Sequence, residues 1–523
     1  MSESRRVRPA SSRPAPRRPA TDRPETERPA PQRPANEPPP NRPIGAVDTI
    51  WLNMDRPNNL MIIDSVMLFD APVDWTRLRD VLWRRLIGRF PVFTQRPVDP
   101  SIPLGLPHWE YDPGFDLERH LIHARLPEPG DDAALQAYVE ARMTEPFDRS
   151  HPLWEYHFID GYQGGGAAVM ARYHHALADG AALLEVLLST TDATADGDLT
   201  PEPPPPAGPG ADDEHLEGLA SFLGTAARVA NSVAHSATAA AAGAKHLLEG
   251  LPQLAAHPHA IVDALALGPA TGQVAGKLLT ASNPTSPLSG TPVAAKRVVW
   301  SAPRPLDDVK RAGRPAGATV NDVLLTALSA AVSRYVAGRG GEPVDLVTMV
   351  PVNLRAKGEP LPRELGNKFA LVFLELPSGD HPPLERLALA KQRMDHIKHS
   401  PEAVLTFGLI QAIGRTNPDL ERLLVDFFSN KAFGVTTNVV GPPVRRFMAG
   451  TPMTGVLGWV PGSGNHSLGV CILTYDRTLR VGFKADAALV PAPEKLVLAF
   501  DECLDGLLDL VNAPGNRARD AAT

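Results

Sequence analysis

Residues 60–69 (LMIIDSVMLF) are an apolar run of the length of a buried strand, and 74–89 (DWTRLRDVLWRRLIGR) carry apolar positions at helical spacing behind Asp74, a residue suited to an N-cap. The 131–145 segment reads as helix and 153–160 (LWEYHFID) as strand. Gly164-Gly165-Gly166 supplies a turn before a second strand, 167–175 (AAVMARYHH), and 180–190 (GAALLEVLLST) reads as helix. A strand therefore ends at His174-His175, a short loop follows, and Asp179-Gly180 opens a helix. From Thr191 to about His215, Pro-Glu-Pro-Pro-Pro-Pro and Gly-Pro-Gly break the pattern as a linker does. Residues 216–282 are alanine-rich and helical in pattern, and from Lys296 to about Val511 strand-like and helical segments alternate again.

Composition sharpens this segmentation. The chain has 523 residues, 43 % apolar and 21 % charged, which suits a soluble protein of two to four domains at roughly 100–200 residues each. Two cysteines, Cys471 and Cys503, exclude a disulfide framework and point to a reducing compartment. Residues 1–43 hold twelve Pro and ten Arg against five acidic residues, a tail of about +5 on a body of about −12, since the whole is −7. Arg-Pro recurs every five residues from Arg8 to Arg33. Such a segment is expected to be disordered and polyproline-like, either simply solvated or tethering an acidic partner or anionic lipid surface. It lacks the apolar core of a signal peptide, and 216–282 lack an uninterrupted span of 18 apolar residues. The expected organisation is a tail (1–43), a first half (44–190), a linker and helical bridge (191–295), a second half (296–511) and a flexible end (512–523). The bridge helices either pack between the halves, the preferred reading, or lie on lipid.

The chemistry concentrates at His174-His175-Ala-Leu-Ala-Asp179-Gly180. Neighbouring strand residues point to opposite faces, so one histidine can face a cleft while the other packs inward. His175, nearer the loop, is the candidate base and His174 its support; neutral imidazole is suited to taking a proton from an alcohol. Asp179 either holds an imidazole in one tautomer or, the commoner role at a helix start, caps the helix and pairs with an arginine. The remaining histidine pairs, His120/His123, His396/His399 and His257/His259, lack a third ligand of obvious spacing. They read as solvated surface residues, and no metal is expected. There is no phosphate-binding Gly-Lys loop, no dinucleotide fingerprint and no Gly-x-Ser-x-Gly elbow, Gly462-Ser463-Gly464 being a flexible turn. Outside the tail no basic cluster interleaves with aromatics, which argues against nucleic acid.

HHALADG matches the HHxxxDG motif of acyl-CoA-dependent acyltransferases. The chain resembles the bacterial wax ester synthase/diacylglycerol acyltransferase family over about Ile50 to Leu510. Pro152-Leu153-Trp154-Glu155, Asn321-Asp322, Val350-Pro351-Val352-Asn353-Leu354-Arg355, Gly366-Asn367 and Asn438-Val-Val-Gly441-Pro442 resemble that family's further motifs, in the right order. It departs where the family usually has Met-His, here Met61-Ile62, and in the second valine of Asn-Val-Val-Gly-Pro.

The resemblance implies an α/β protein: two chloramphenicol-acetyltransferase-like mixed-sheet domains with the active site in a tunnel between them. It implies no cofactor, acyl-CoA being a substrate. His175 Nε2 would deprotonate the acceptor hydroxyl of a lipid alcohol or diacylglycerol as it attacks the thioester carbonyl. Asn321 or Asn438 is a candidate donor to the developing oxyanion, or caps a turn; Asp322 belongs to a helix start, and Arg355 is a candidate bidentate partner of Asp179. Gly180 completes the motif. Expected partners are acyl-CoA, the lipid acceptor and a peripheral membrane or lipid-droplet surface, reached from the cytoplasm. The alternatives are a condensation-type enzyme using carrier-protein thioesters and a non-catalytic lipid-binding protein of the same fold.

Overall fold

The computed structural model describes residues 39–100, 107–197, 282–355, 359–398, 400, 402–414 and 418–512. Most of the Arg-Pro tail, the alanine-rich bridge, His257, His259 and His399 lie outside them. Numbering strands of five residues or more, the first sheet contains β1 (Ile62–Phe69), β2 (Leu121–Arg125), β3 (Trp154–Tyr162), β4 (Gly166–His174) and β9 (Gly455–Trp459), in the order β9-β1-β4-β3-β2. Only β2 and β3 run parallel. The second sheet contains β5 (Lys296–Trp300), β6 (Leu346–Asn353), β7 (Phe369–Leu376), β8 (Gly434–Val440), β10 (Leu468–Tyr475) and β11 (Thr478–Asp486). Its order is β7-β6-β8-β10-β11-β5, with the short Arg304–Pro305 segment beside β11. Here β8 runs parallel to both β6 and β10. Both sheets are mixed, as an α/β reading requires.

The helices are α1 (Ala46–Met54), α2 (Trp75–Val81), α3 (Asp132–Met143), α4 (Gly180–Ser189), α5 (Leu306–Gly313), α6 (Val320–Gly338), α7 (Pro383–Lys398), α8 (Glu402–Ile413), α9 (Pro418–Ser429) and α10 (Glu494–Asn512). Local chemistry sets several of their starts: Asp74, Asp131 and Asp179 each accept a hydrogen bond, 2.9–3.0 Å, from the N–H three residues on. The long helix expected over 74–89 is shorter, because after α2 the backbone widens into a π-helical stretch, Leu82–Ile87. α6 is buried almost all round and, with α10, forms the apolar layer on the second sheet. No single helix among the described residues is long and apolar enough to cross a membrane; α5 and α6 together reach that length but are bent by 94°.

Two connections join the sequence halves at the sheet level. β9 comes from the C-terminal half yet pairs with β1, Leu457 opposite Val66. Gly366, from the segment before β7, pairs with Ala178 of the HHALADG loop and donates its N–H to Leu177 O at 3.1 Å. Gly366 has φ +112°, a conformation that favours glycine.

Candidate active site

The two histidines separate at the end of β4 as strand alternation predicts. His174 is 1 % exposed, and both ring nitrogens are committed. Its Nδ1 accepts the Ala176 N–H at 3.1 Å, so Nε2 carries the proton and donates to Asp55 Oδ2 at 3.0 Å. The His174 N–H donates to Leu153 O at 3.0 Å, so the Pro152-Leu153-Trp154 segment braces this loop from β3. Trp154 is fully buried and stacks on His120, their ring centres 4.4 Å apart. His120 is therefore not the solvated surface residue its spacing suggested: it is 3 % exposed and hydrogen-bonded to Trp154 O at 2.8 Å, at the end of a 3₁₀ turn. His123 and His396 are exposed as expected.

His175 faces the other way. Its ring stacks on Trp51 at 4.3 Å and is tilted against Phe369 at 5.8 Å. Its backbone is pinned twice: the N–H donates to Met61 O at 2.7 Å, and the carbonyl accepts from Asn367 Nδ2 at 2.8 Å. Nδ1 is buried without a hydrogen-bond partner, and among the described residues no hydrogen bond reaches Nε2. Burial pushes the imidazole pKa down to about 4, against smaller opposing effects from its own backbone carbonyl and Asp179. The ring is neutral at neutral pH, so with a proton on Nδ1 its Nε2 lone pair can accept another.

The ring opens onto a cavity of about 450 Å³ whose walls come from both sheets: Ser65 and Tyr173 from the first, Val350, Asn438 and Leu473 from the second, and Leu184 from α4. Apolar side chains dominate the lining. Gly180 lines it too, and a Cβ built there meets nothing within 4 Å.

Asp179 bonds to neither imidazole. Oδ1 caps α4, while Oδ2 accepts from the Lys368 N–H at 3.0 Å and from Arg355. The expected bidentate pairing with Arg355 is corrected: one terminal nitrogen takes Asp179 and the other takes Gly366 O at 2.6 Å. The arginine thus ties the motif loop to the Gly366 crossing instead of forking on one carboxylate. Asp322 sits three residues inside α6, where Thr319 is the cap and Asp322 Oδ2 accepts back from the Thr319 N–H at 2.8 Å. Of the four supporting candidates, only Asn321 and Asn438 line the cavity, and Asn438 Nδ2 donates to Asn321 Oδ1 at 3.3 Å. Asn438 Oδ1 is buried without a partner. Among the described residues no three His, Cys, Asp or Glu side chains gather in a way that would hold a metal.

The family model for the wax ester synthase/diacylglycerol acyltransferase catalytic domain matches residues 44–324, and that for the C-terminal domain matches 365–507. The chain belongs to this family. It is an acyltransferase. A Mycobacterium tuberculosis protein named for diacylglycerol O-acyltransferase activity is 26 % identical over 499 residues, 88 % of this chain and 94 % of the relative. A second protein so named from the same organism is 26 % identical over 423 residues, 79 % and 83 % of the two chains. In fold, the enzyme is similar to the wax ester synthase/diacylglycerol acyltransferase of Marinobacter aquaeolei (TM-score 0.61, 20 % identity, 90 % of this chain and 99 % of that one). The first condensation domain of the calcium-dependent antibiotic synthetase shares the fold at TM-score 0.54 and 16 % identity, covering 91 % and 98 %.

Three residues at this site escaped sequence reasoning. Asp55 lies 119 positions before the histidine it holds, and Trp51 reads as one apolar position among many. Asp48 accepts both the backbone N–H (3.0 Å) and the side-chain amide (2.8 Å) of Asn367. Burial raises the Asp48 pKa to about 6, against the opposing Asn367 hydrogen bonds. In the sequence this part is marked only by the Gly366-Asn367 motif, which names no partner.

Proposed function

We propose that the enzyme transfers a fatty acyl group from acyl-CoA directly to the hydroxyl of diacylglycerol or a long-chain alcohol, without a cofactor, and that His175 is the base. The observation that carries this reading is the His175 imidazole, with no hydrogen bond to Nε2 among the described residues, in the lining of an apolar cavity built from both sheets. Nε2 takes the acceptor proton as the hydroxyl oxygen attacks the thioester carbonyl; the tetrahedral intermediate then collapses, the C–S bond breaks, and the imidazolium returns the proton to the departing thiolate. A thioester is already activated, so no covalent enzyme intermediate is needed. Asn321, Asn353 and Asn438 bring side-chain amides to the cavity, and Asn321 and Asn438 are the two proposed to serve the developing oxyanion. Diacylglycerol as acceptor is supported by the names of the M. tuberculosis relatives. So apolar an acceptor is met at a membrane or lipid-droplet surface.

The test incubates purified enzyme and its His175→Ala variant with radiolabelled palmitoyl-CoA or, in parallel, the palmitoyl thioester of an acyl carrier protein, and a panel of diacylglycerol and long-chain alcohols. Ester should form with the wild type and fall below detection with the variant. Turnover by His175→Ala, or label transfer only from an acyl-carrier-protein thioester, would overturn the reading.

A further inference from the structure

We infer that Asp55 is a positioning residue for the catalytic loop, fixing His175 through two hydrogen-bonded paths that both end on its carboxylate. Asp55 follows the last residue of α1 and lines no part of the cavity. Its Oδ1 accepts the Met61 N–H at 2.7 Å, and Met61 O in turn accepts the His175 N–H at 2.7 Å. Its Oδ2 accepts His174 Nε2–H at 3.0 Å, and His174 Nδ1 accepts the Ala176 N–H at 3.1 Å. The amides on both sides of the His175 carbonyl are thus traced back to the two oxygens of one side chain. Neither path includes Asp179, so this brace is separate from the Arg355 ion pair.

The chemistry of the brace is directional. The Met61 N–H cannot reverse its role, and the Ala176 N–H forces His174 to keep its proton on Nε2. Asp55 therefore faces two donors and must offer two acceptors, which a carboxylate does and an amide does not. Arg149 supports it from before β3, reaching Asp55 Oδ2 at 3.2 Å and also donating to Leu52 O. Burial favours the protonated carboxyl, but the hydrogen bonds from His174 and Met61 and the charge of Arg149 outweigh it and hold the group ionised, below its ordinary value.

This rests on His175 being the base, so the experiment separates the two claims. Full-length Asp55→Asn and Asp55→Glu are compared with wild type and His175→Ala for kcat and KM toward palmitoyl-CoA and the acceptor, over a range of pH. In Asp55→Asn the amide NH₂ opposes one of the two donors and the loop shifts. The kcat should fall by about a hundredfold, the loss associated with misplacing a reacting group by an ångström, with both KM values within about twofold. Water then reaches the His175 ring, so the acid limb of kcat/KM should move upward. Adding His174→Ala should cost less than the same change costs the wild type, because the path through His174 already ends on the altered side chain. Asp55→Glu, which keeps two acceptors at a longer reach, should fold and retain intermediate kcat. Wild-type kcat in both Asp55 variants, a loss confined to KM, or full additivity with His174→Ala would overturn the inference while His175→Ala stays inactive. An active His175→Ala would instead remove the reading on which it rests.

Discussion

The carboxylate of Asp179 is bonded to the guanidinium of Arg355, 176 positions later in the chain, and not to the imidazole of His175. Their side chains are 6 % and 7 % exposed, so removing either partner strands a charge away from water. Arg355→Met and Asp179→Asn should each lower unfolding stability by about 3–5 kcal/mol, and the double variant should lose less than the sum of the two. Denaturant titrations at one pH check this. Additive losses would dissolve the pair.

The pH profile reports the surroundings of His175. As the proposed base it would work in its neutral form, and burial lowers its pKa to about 4. The kcat/KM value should therefore stay level from pH 7 down to about 5 and fall only as the pH approaches 4. Trp51→Ala removes the stacked ring and admits water, so the imidazole should move back toward its ordinary 6.5 and the acid limb should rise with it. A wild-type limb already near 6.5 would mean that burial does not hold the imidazole pKa down.

Gly180 tests the cavity wall. A Cβ there meets no neighbouring element within 4 Å, so Gly180→Leu should fold with near-normal stability. It should nonetheless crowd the cavity. The expected result is a raised KM for palmitoyl-CoA with a shift of preference toward shorter acyl chains, read from competition between donors of different length. Unchanged chain-length preference would place the acyl group elsewhere.

Gly366 tests the crossing between the halves. Its φ of +112° disfavours any Cβ, and one built there lies 3.4 Å from Asp48 Oδ2. Gly366→Ala should cost about 1–3 kcal/mol in backbone strain, measured by thermal or denaturant unfolding. Because the next residue, Asn367, holds the His175 carbonyl, kcat should fall as well. A variant as stable as wild type would mean the loop relaxes without penalty.

Much of this was legible in the sequence because it is local. Strand alternation separated His174 from His175, and the caps read at Asp74 and Asp179 sit three residues before the N–H groups they serve. The apolar runs placed β1, β3, β4 and α4 within two residues of their observed ends. What stayed hidden depends on partners distant in sequence. Asp55 looks like any acidic residue after a helix until the fold brings His174 to it, and His120 looks solvated until Trp154 covers it. The split of Arg355 between Asp179 and Gly366 O needs two loops to meet, and no periodicity records that.

The placement of β9 also governs when the first sheet can be completed during synthesis. Thr454, which leads into β9, bonds to Leu68 O across 386 residues. A ribosome that has released β1 through β4 still holds back the strand that covers the β1 edge until nearly the whole chain has emerged. Until then the open hydrogen-bonding row of Ile62–Phe69 is a template for pairing with another nascent chain. The enzyme's yield in a heterologous host should therefore depend on how quickly translation proceeds from β4 to β9, and neither half expressed alone should form a finished first sheet.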